Sequence, residues 1–108
     1  MDNVEFLILR NLLYNEEYLR KTIPFIKAEY FEDLNQKIMF EEISNFVGEY
    51  NKLASKEVLC IEIENRTDIN DESFKNIVEL INGFEDETAE FNWLVDTTEK
   101  WCRDRAIY

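Results

Sequence analysis

The sequence contains no histidine, one proline, two glycines and two cysteines. Histidine is the usual general base and the commonest zinc ligand, so its absence argues against a zinc centre and excludes a histidine-activated nucleophile. Cys60 and Cys102 are far apart and have no further ligand at metal spacing, so we interpret them as two buried thiols in a reducing compartment. Gly48 and Gly83 lack the neighbouring glycines and lysine of a phosphate-binding loop, so this segment is not expected to bind a nucleotide.

Basic residues are also scarce, because 12 lysines and arginines stand against 24 aspartates and glutamates, for a net charge of −12. Such a surface repels phosphate, so direct binding of DNA or RNA is not expected. The charge is typical either of a solvated acidic surface or of a protein that docks onto a basic partner. The carboxylates are spread over every predicted helix and no pair stands out as a general acid and base. We therefore expect no catalytic residue, no bound metal and no cofactor in this segment.

Long hydrophobic runs are absent, and the longest apolar runs have four residues, as at positions 6–9. A membrane-spanning helix needs about 20 apolar residues, so no membrane association is expected. Asp2 and Glu5 lie where a secretory signal would carry basic residues, which predicts a cytosolic protein. The 108 residues, 45% of them apolar, are enough for one domain with a modest core.

What the sequence does contain is apolar residues at three- and four-residue spacing, together with helix-capping residues. With so little glycine and proline, the pattern predicts an all-α fold, a compact bundle of five to six helices with a long C-terminal helix. The predicted helices cover approximately residues 4–14, 16–22, 34–50, 56–64, 71–82 and 88–108. Their predicted caps are Asn3, Asp33 with Gln36, Ser55, and Asn70 or Asp71.

Some boundaries in this prediction rest on single residues. Gly48 is interpreted as helping to stop the third helix, and Asn82-Gly83 as the stop of the fifth. In the fourth segment, apolar and polar residues also alternate as they would in a strand, so both a helix and a strand remain possible there. Residues 25–31 are predicted to form a loop or a single turn.

Aromatic residues are concentrated on the last predicted helix. Trp93 and Trp101 are eight residues apart, so they lie on neighbouring parts of one helix surface. They are either core residues or anchors against a second subunit, a role in which tryptophan is favoured. The candidate residues for such a subunit contact are Phe91, Trp93, Leu94 and Trp101.

Several stretches together carry a family resemblance. They are Ala28-Glu29-Tyr30-Phe31-Glu32, Gly48-Glu49-Tyr50, Trp93-Leu94-Val95, Thr98-Glu99-Lys100 and Arg105-Ala106. In their order and spacing the chain resembles the N-terminal domain of the replicative DNA helicases of T-even-type phages, which are relatives of bacterial DnaB. The resemblance covers the whole chain, but none of these stretches is a catalytic motif.

The resemblance implies a place for this segment in a larger protein. The full-length protein would be an ATP-driven, hexameric 5′-to-3′ helicase, and ATP, Mg²⁺ and DNA would be bound by a RecA-like motor domain outside this segment. Residues 1–87 would form a helical head, and residues 88–108 would begin a helical hairpin or linker toward the motor. The last predicted helix has no stop signal, which favours such a continuation.

The resemblance also implies partners and a location. The segment would self-associate as a dimer or within a ring, and would meet the phage primase and the helicase loader in the cytoplasm of the infected bacterial host. The alternative is a small acidic phage protein that mimics DNA and inhibits a nucleic-acid enzyme. A small enzyme that uses paired carboxylates is a third hypothesis.

Overall fold

The computed structural model describes residues 4–85 and 89–106. This part of the chain forms six α-helices and no strand, which confirms the predicted all-α bundle. The helices are α1 (Val4–Tyr14), α2 (Glu16–Thr22), α3 (Leu34–Tyr50), α4 (Lys56–Glu64), α5 (Asp71–Asn82) and α6 (Phe91–Ala106). Two short 3₁₀ turns, Ile23–Phe25 and Ala28–Tyr30, lie in the segment between α2 and α3.

Side-chain caps fix the starts of four helices. Asn15, Asp33, Ser55 and Asn70 each accept a hydrogen bond from the backbone N–H three residues later. These bonds satisfy donors that a helix N-terminus leaves without a partner. The caps predicted at Asp33 and Ser55 are confirmed, and of the two alternatives for α5 the cap is Asn70. The cap predicted at Asn3 lies outside the described residues.

The fourth segment is a helix and not a strand. Leu59 and Ile63 are both buried, four residues apart, while Ile61 between them is 56% exposed. A strand would place all three side chains on one face, whereas a helix turns the middle one away. The alternation of apolar residues therefore arises from a helix with one apolar residue left outside.

Two predicted boundaries need correction. Gly48 does not stop α3, which continues to Tyr50 and ends at Asn51 in the left-handed conformation, with φ 56° and ψ 40°. Asparagine tolerates this conformation better than other non-glycine residues, so it terminates the helix here. The start of the last helix, predicted at Thr88, lies outside the described residues, but Ala89 and Glu90 are not helical and α6 begins at Phe91.

A single core joins all six helices. The largest of its fully buried side chains are Tyr18, Phe31 and Phe84. Helix α6 packs one face against the core, and the buried residues on this face recur at three- and four-residue spacing. They are Leu94, Val95, Thr98, Trp101 and Cys102. The described part of α6 is therefore packed along the body of the domain. Its continuation toward a hairpin, and the division at residue 87, stay predictions.

Candidate docking surface

The four residues predicted as a subunit contact separate into two groups. Leu94 and Trp101 are 1% and 9% exposed, and both belong to the core. Trp101 packs against Tyr30 and Phe31, with ring centroids 6.1 Å and 5.0 Å apart. Because buried side chains cannot touch a second subunit unless the domain opens, Leu94 and Trp101 act inside the domain.

Trp93 and Phe91 lie at the surface, at the start of α6. Trp93 is 50% exposed, and Phe91 is partly buried against the core. Glu90 holds this turn, because its carboxylate accepts hydrogen bonds from the backbone N–H groups of Asn92 at 3.3 Å and Trp93 at 2.6 Å. A carboxylate at a helix N-terminus also has a favourable interaction with the helix dipole. The exposed indole is therefore held on an ordered turn, and its contact with a second subunit stays a prediction.

A second surface lies between α3 and α4 and was not found from the sequence. Phe46 and Tyr50 are one helical turn apart on α3, with their ring centroids 4.7 Å apart and their planes inclined by 38°. The Tyr50 side chain is 56% exposed. The two rings line a concave site, which we call the α3–α4 groove, together with Glu42, Asn45 and Glu49 of α3 and Glu62 of α4. The groove therefore combines an exposed aromatic surface with carboxylates.

Arg66, just after α4, neutralises one of these carboxylates. Its guanidinium group donates to Glu42 at 2.7 Å and Glu41 at 3.1 Å on α3, and to Asp68 at 2.6 Å. The bond to Asp68 is the largest of the causes that raise the pKa of Arg66, and Arg66 in turn lowers the pKa of the Asp68 carboxyl. Arg66 thereby joins the end of α4 to α3 and fixes the geometry of the groove.

The other two glutamates of the groove have no such partner. Glu49 and Glu62 are exposed. Within residues 4–85 and 89–106, no lysine or arginine nitrogen lies within ion-pair distance of either carboxylate. The groove therefore presents two carboxylates that no cation of the described residues compensates.

Neither cysteine thiol is activated as a nucleophile. Burial raises the pKa of Cys102 to about 11, and the nearby Glu99 adds to this rise. Burial also raises the pKa of Cys60, followed in size by the effect of Glu57. Both thiols are free, but Cys102 is buried and Cys60 only partly so, and the prediction of two buried thiols is therefore wrong for Cys60. Because the thiolate is the nucleophile, a raised pKa makes both sulfurs poorly reactive at neutral pH.

The described residues offer neither a metal site nor a membrane-spanning segment. The side chains in this part of the chain form no group of three or more potential ligands that could hold a metal ion. None of the helices in the described ranges has both the length and the apolar character needed to cross a membrane.

Comparison with known proteins gives a relative. No family model matches the chain. The chain is similar to the DnaB-like replicative helicase of Enterobacteria phage T4, with 30% identity over 102 residues. The match covers 94% of this chain and 21% of the helicase, so the chain spans about a fifth of the length of that relative. Nearly the whole chain is therefore similar to one part of a DnaB-like replicative helicase, which confirms the resemblance predicted from the sequence.

Proposed function

We propose that the chain is the N-terminal assembly and partner-docking domain of a phage replicative DNA helicase. The observation that carries this proposal is the match itself, which takes in 94% of the chain and 21% of a DnaB-like replicative helicase. A chain related over its length to about a fifth of a helicase corresponds to one domain of it. The exposed aromatic surfaces on α6 and on α3 give that domain places at which to contact other proteins.

In this proposal the chemistry belongs to the rest of the protein. The full-length protein is an ATP-dependent, hexameric 5′-to-3′ helicase, and ATP, Mg²⁺ and DNA are bound by its motor domain. The net charge of −12 supports this division, because phosphate would be repelled from the domain described here. The protein acts in the cytoplasm of the infected bacterial host.

Assembly would use the start of α6. A half-exposed tryptophan leaves a large apolar area in water, and burying it against a second copy recovers hydrophobic free energy. Trp93, with the exposed edge of Phe91, is therefore the proposed self-association contact, in a dimer or within the ring of the full-length protein. The other surfaces of the domain remain for the phage primase and the helicase loader.

A DNA mimic remains the alternative, but no specific observation favours it. Such a protein would gather its carboxylates on one face. Here exposed acidic residues occur on every helix from α2 to α6, for example Glu17, Glu49, Glu64, Glu79 and Asp104. Several other acidic residues form ion pairs with arginines of the same domain.

The gene provides the simplest test of whether this chain is part of a helicase. The reading frame that encodes this chain is expected to continue past Tyr108 into a segment with a GxxxxGK[ST] phosphate-binding motif. A stop codon directly after Tyr108 would remove the basis of the helicase proposal.

Light scattering over a range of concentrations tests the assembly contact. The chain is expected to self-associate, and Trp93→Ser should weaken this, while Tyr50→Ser should not, although Tyr50 is a similarly exposed aromatic residue. Added salt should strengthen self-association, because it screens the repulsion between two copies that each carry a charge of −12. A strict monomer at every concentration, or equal effects of the two substitutions, would contradict the proposed contact.

A further inference from the structure

We propose that the α3–α4 groove binds an arginine side chain on a basic segment of a partner protein. This inference rests on the proposed docking function and names the surface and the chemistry that the partner must have. It is carried by three features of the groove: its exposed aromatic ring, its two uncompensated carboxylates and its concave shape.

The aromatic pair provides one face for a guanidinium group. The ring centroids of Phe46 and Tyr50 are 4.7 Å apart, so the outer ring, Tyr50, is held in place by contact with the inner one. A planar cation lying on an aromatic face is attracted by the ring quadrupole and keeps its N–H groups free at its edge. The ring therefore selects arginine over lysine, whose compact and strongly hydrated ammonium group stacks less well.

The carboxylates provide the other contact. Glu49 precedes Tyr50 in the chain, and Glu62 reaches the same groove from α4. Two carboxylates beside a ring accept the edge N–H groups of a stacked guanidinium in charge-assisted hydrogen bonds. The cation-π contact and the ion pairs thus use different parts of the same group and do not compete.

The domain already contains this combination elsewhere, at a partly exposed arginine on α6. The guanidinium of Arg105 lies 5.5 Å from the Trp101 ring centroid. Its Nη atoms donate to Glu5 at 3.0 Å and to Glu32 at 2.5 Å. One ring and two glutamates therefore hold an arginine within this domain, and the α3–α4 groove presents the same types of group at the surface.

The arginine could come from a second copy of the chain or from a different protein, and the net charge favours the different protein. Each copy carries a charge of −12, so bringing two copies together at a charged groove meets long-range repulsion. A basic segment is attracted by the same field and is guided toward the groove. The occupant is therefore a partner rich in arginine, and its binding should weaken as salt is added.

The first experiment measures binding of a fluorescein-labelled alanine–arginine repeat peptide to the chain by fluorescence anisotropy, with an alanine–lysine peptide of the same length for comparison. We expect the arginine peptide to bind about fivefold more tightly, the size of one cation-π contact. The substitution Tyr50→Leu keeps an apolar side chain but removes the ring, so it should bring the two affinities together.

The second experiment separates the groove from the general acidity of the protein. Glu49→Gln with Glu62→Gln removes two charges inside the groove, and Glu17→Gln with Glu79→Gln removes two exposed charges outside it. The groove variant should bind the arginine peptide about tenfold more weakly, because it loses charge-assisted hydrogen bonds. The control should change affinity by less than about threefold, as expected for long-range charge alone. Circular dichroism establishes that all variants are folded.

Three results would overturn the proposal: absence of peptide binding, equal losses in the groove and control variants, or no preference for arginine over lysine. Backbone amide NMR shifts centred away from residues 45–50 and 62 would overturn it as well. If light scattering shows that the groove variant alone loses self-association, the occupant is a second copy and the partner chemistry is wrong.

The salt dependence keeps this test apart from that of the proposed function. Self-association through Trp93 should strengthen with salt, whereas peptide binding in the groove should weaken. If self-association is absent but the peptide still binds, only the assembly contact is wrong and the groove proposal is retained. If the chain self-associates but does not bind the peptide, the groove proposal is wrong and the assembly proposal is retained.

Discussion

The hydroxyl oxygens of Tyr18 and Thr98 lie 2.7 Å apart in the core and join α2 to α6. Both side chains are fully buried, and 80 residues separate them along the chain. A buried hydroxyl without a partner is costly, so this pair holds α6 at one rotation relative to α2. The same rotation keeps Leu94 and Trp101 inside the domain and turns Trp93 outward.

Removing either hydroxyl of this pair should destabilise the domain. Thr98→Val preserves the shape of the side chain but removes the Thr98 hydroxyl from the buried Tyr18 hydroxyl, at a cost of about 1–3 kcal/mol. Tyr18→Phe should cost a similar amount. The double variant should lose less than the sum of the two, because neither hydroxyl is then left without its partner. Urea unfolding measures all three, and the neighbouring, half-buried Thr97→Val serves as a control with a smaller expected loss. Strict additivity would show that the two hydroxyls do not interact.

Alkaline pH should destabilise the domain in a defined range. Burial raises the pKa of Tyr18 from 10.0 to about 12, so between these values the folded chain holds a proton that the unfolded chain releases. This contribution to stability is complete below pH 10 and is lost toward pH 12, by up to about 3 kcal/mol. Cys102, whose pKa rises from 9.0 to about 11, adds a similar loss that begins one unit lower.

Two variants separate these contributions. Tyr18→Phe should flatten the fall in stability between pH 10 and 12, and Cys102→Ala should flatten the part that begins near pH 9. The measurement is the urea midpoint at each pH. A slope unchanged by both substitutions would assign the alkaline sensitivity to other groups.

Replacing Arg66 should destabilise the domain more than replacing an ordinary surface lysine. Arg66→Met leaves Glu41, Glu42 and Asp68 close together without a cation, and we expect a loss of about 2 kcal/mol after allowance for solvent screening. Lys75→Met on α5 makes the same charge change at an exposed position and should cost less than about 0.5 kcal/mol. Thermal unfolding in low and high salt measures both. The loss in Arg66→Met should shrink as salt screens the three carboxylates, and a loss independent of salt would contradict an electrostatic origin.

Asn51 and Gly48 should respond to alanine in opposite directions. Asn51 has a φ of 56° and also accepts a hydrogen bond on its side chain from Arg20 at 2.9 Å. Asn51→Ala therefore loses that bond and strains the backbone, with a cost of about 1–2 kcal/mol, whereas Asn51→Gly should cost less. Gly48 lies inside α3 with open space where a Cβ would stand, so Gly48→Ala should stabilise the domain by about 0.5–1 kcal/mol. Differences in melting temperature measure all three, and a destabilising Gly48→Ala would contradict this description of the α3 terminus.

Much of the secondary structure could be predicted because it depends on neighbouring residues. Apolar residues at three- and four-residue spacing, and caps such as Ser55 and Asn70, act within one or two turns and are visible in the sequence. The end of α3 could not be predicted in this way. Glycine is the usual stop, but here Asn51 takes the left-handed conformation and Arg20 from α2 binds it there.

The surfaces were harder to predict because they depend on packing between distant segments. The spacing of α6 places Trp101, but not Trp93, on its apolar face. How far each indole is exposed still depends on distant segments, because Tyr30 and Phe31 cover Trp101. The α3–α4 groove was missed for the same reason. Glu49 followed by Tyr50 at the end of a helix is a weak local signal of an exposed site. Glu62 lines the groove only because of the way α4 packs against α3, which no local pattern reveals.

The different surroundings of the two tryptophans give this protein a pair of built-in optical probes. Trp101, enclosed by aromatic rings, should emit at shorter wavelength than Trp93, which is half in water. A change confined to the long-wavelength component would then report an event at the surface of α6, whereas a change in both would report loss of the core. Contact formation and unfolding can therefore be followed in one spectrum of the unlabelled chain.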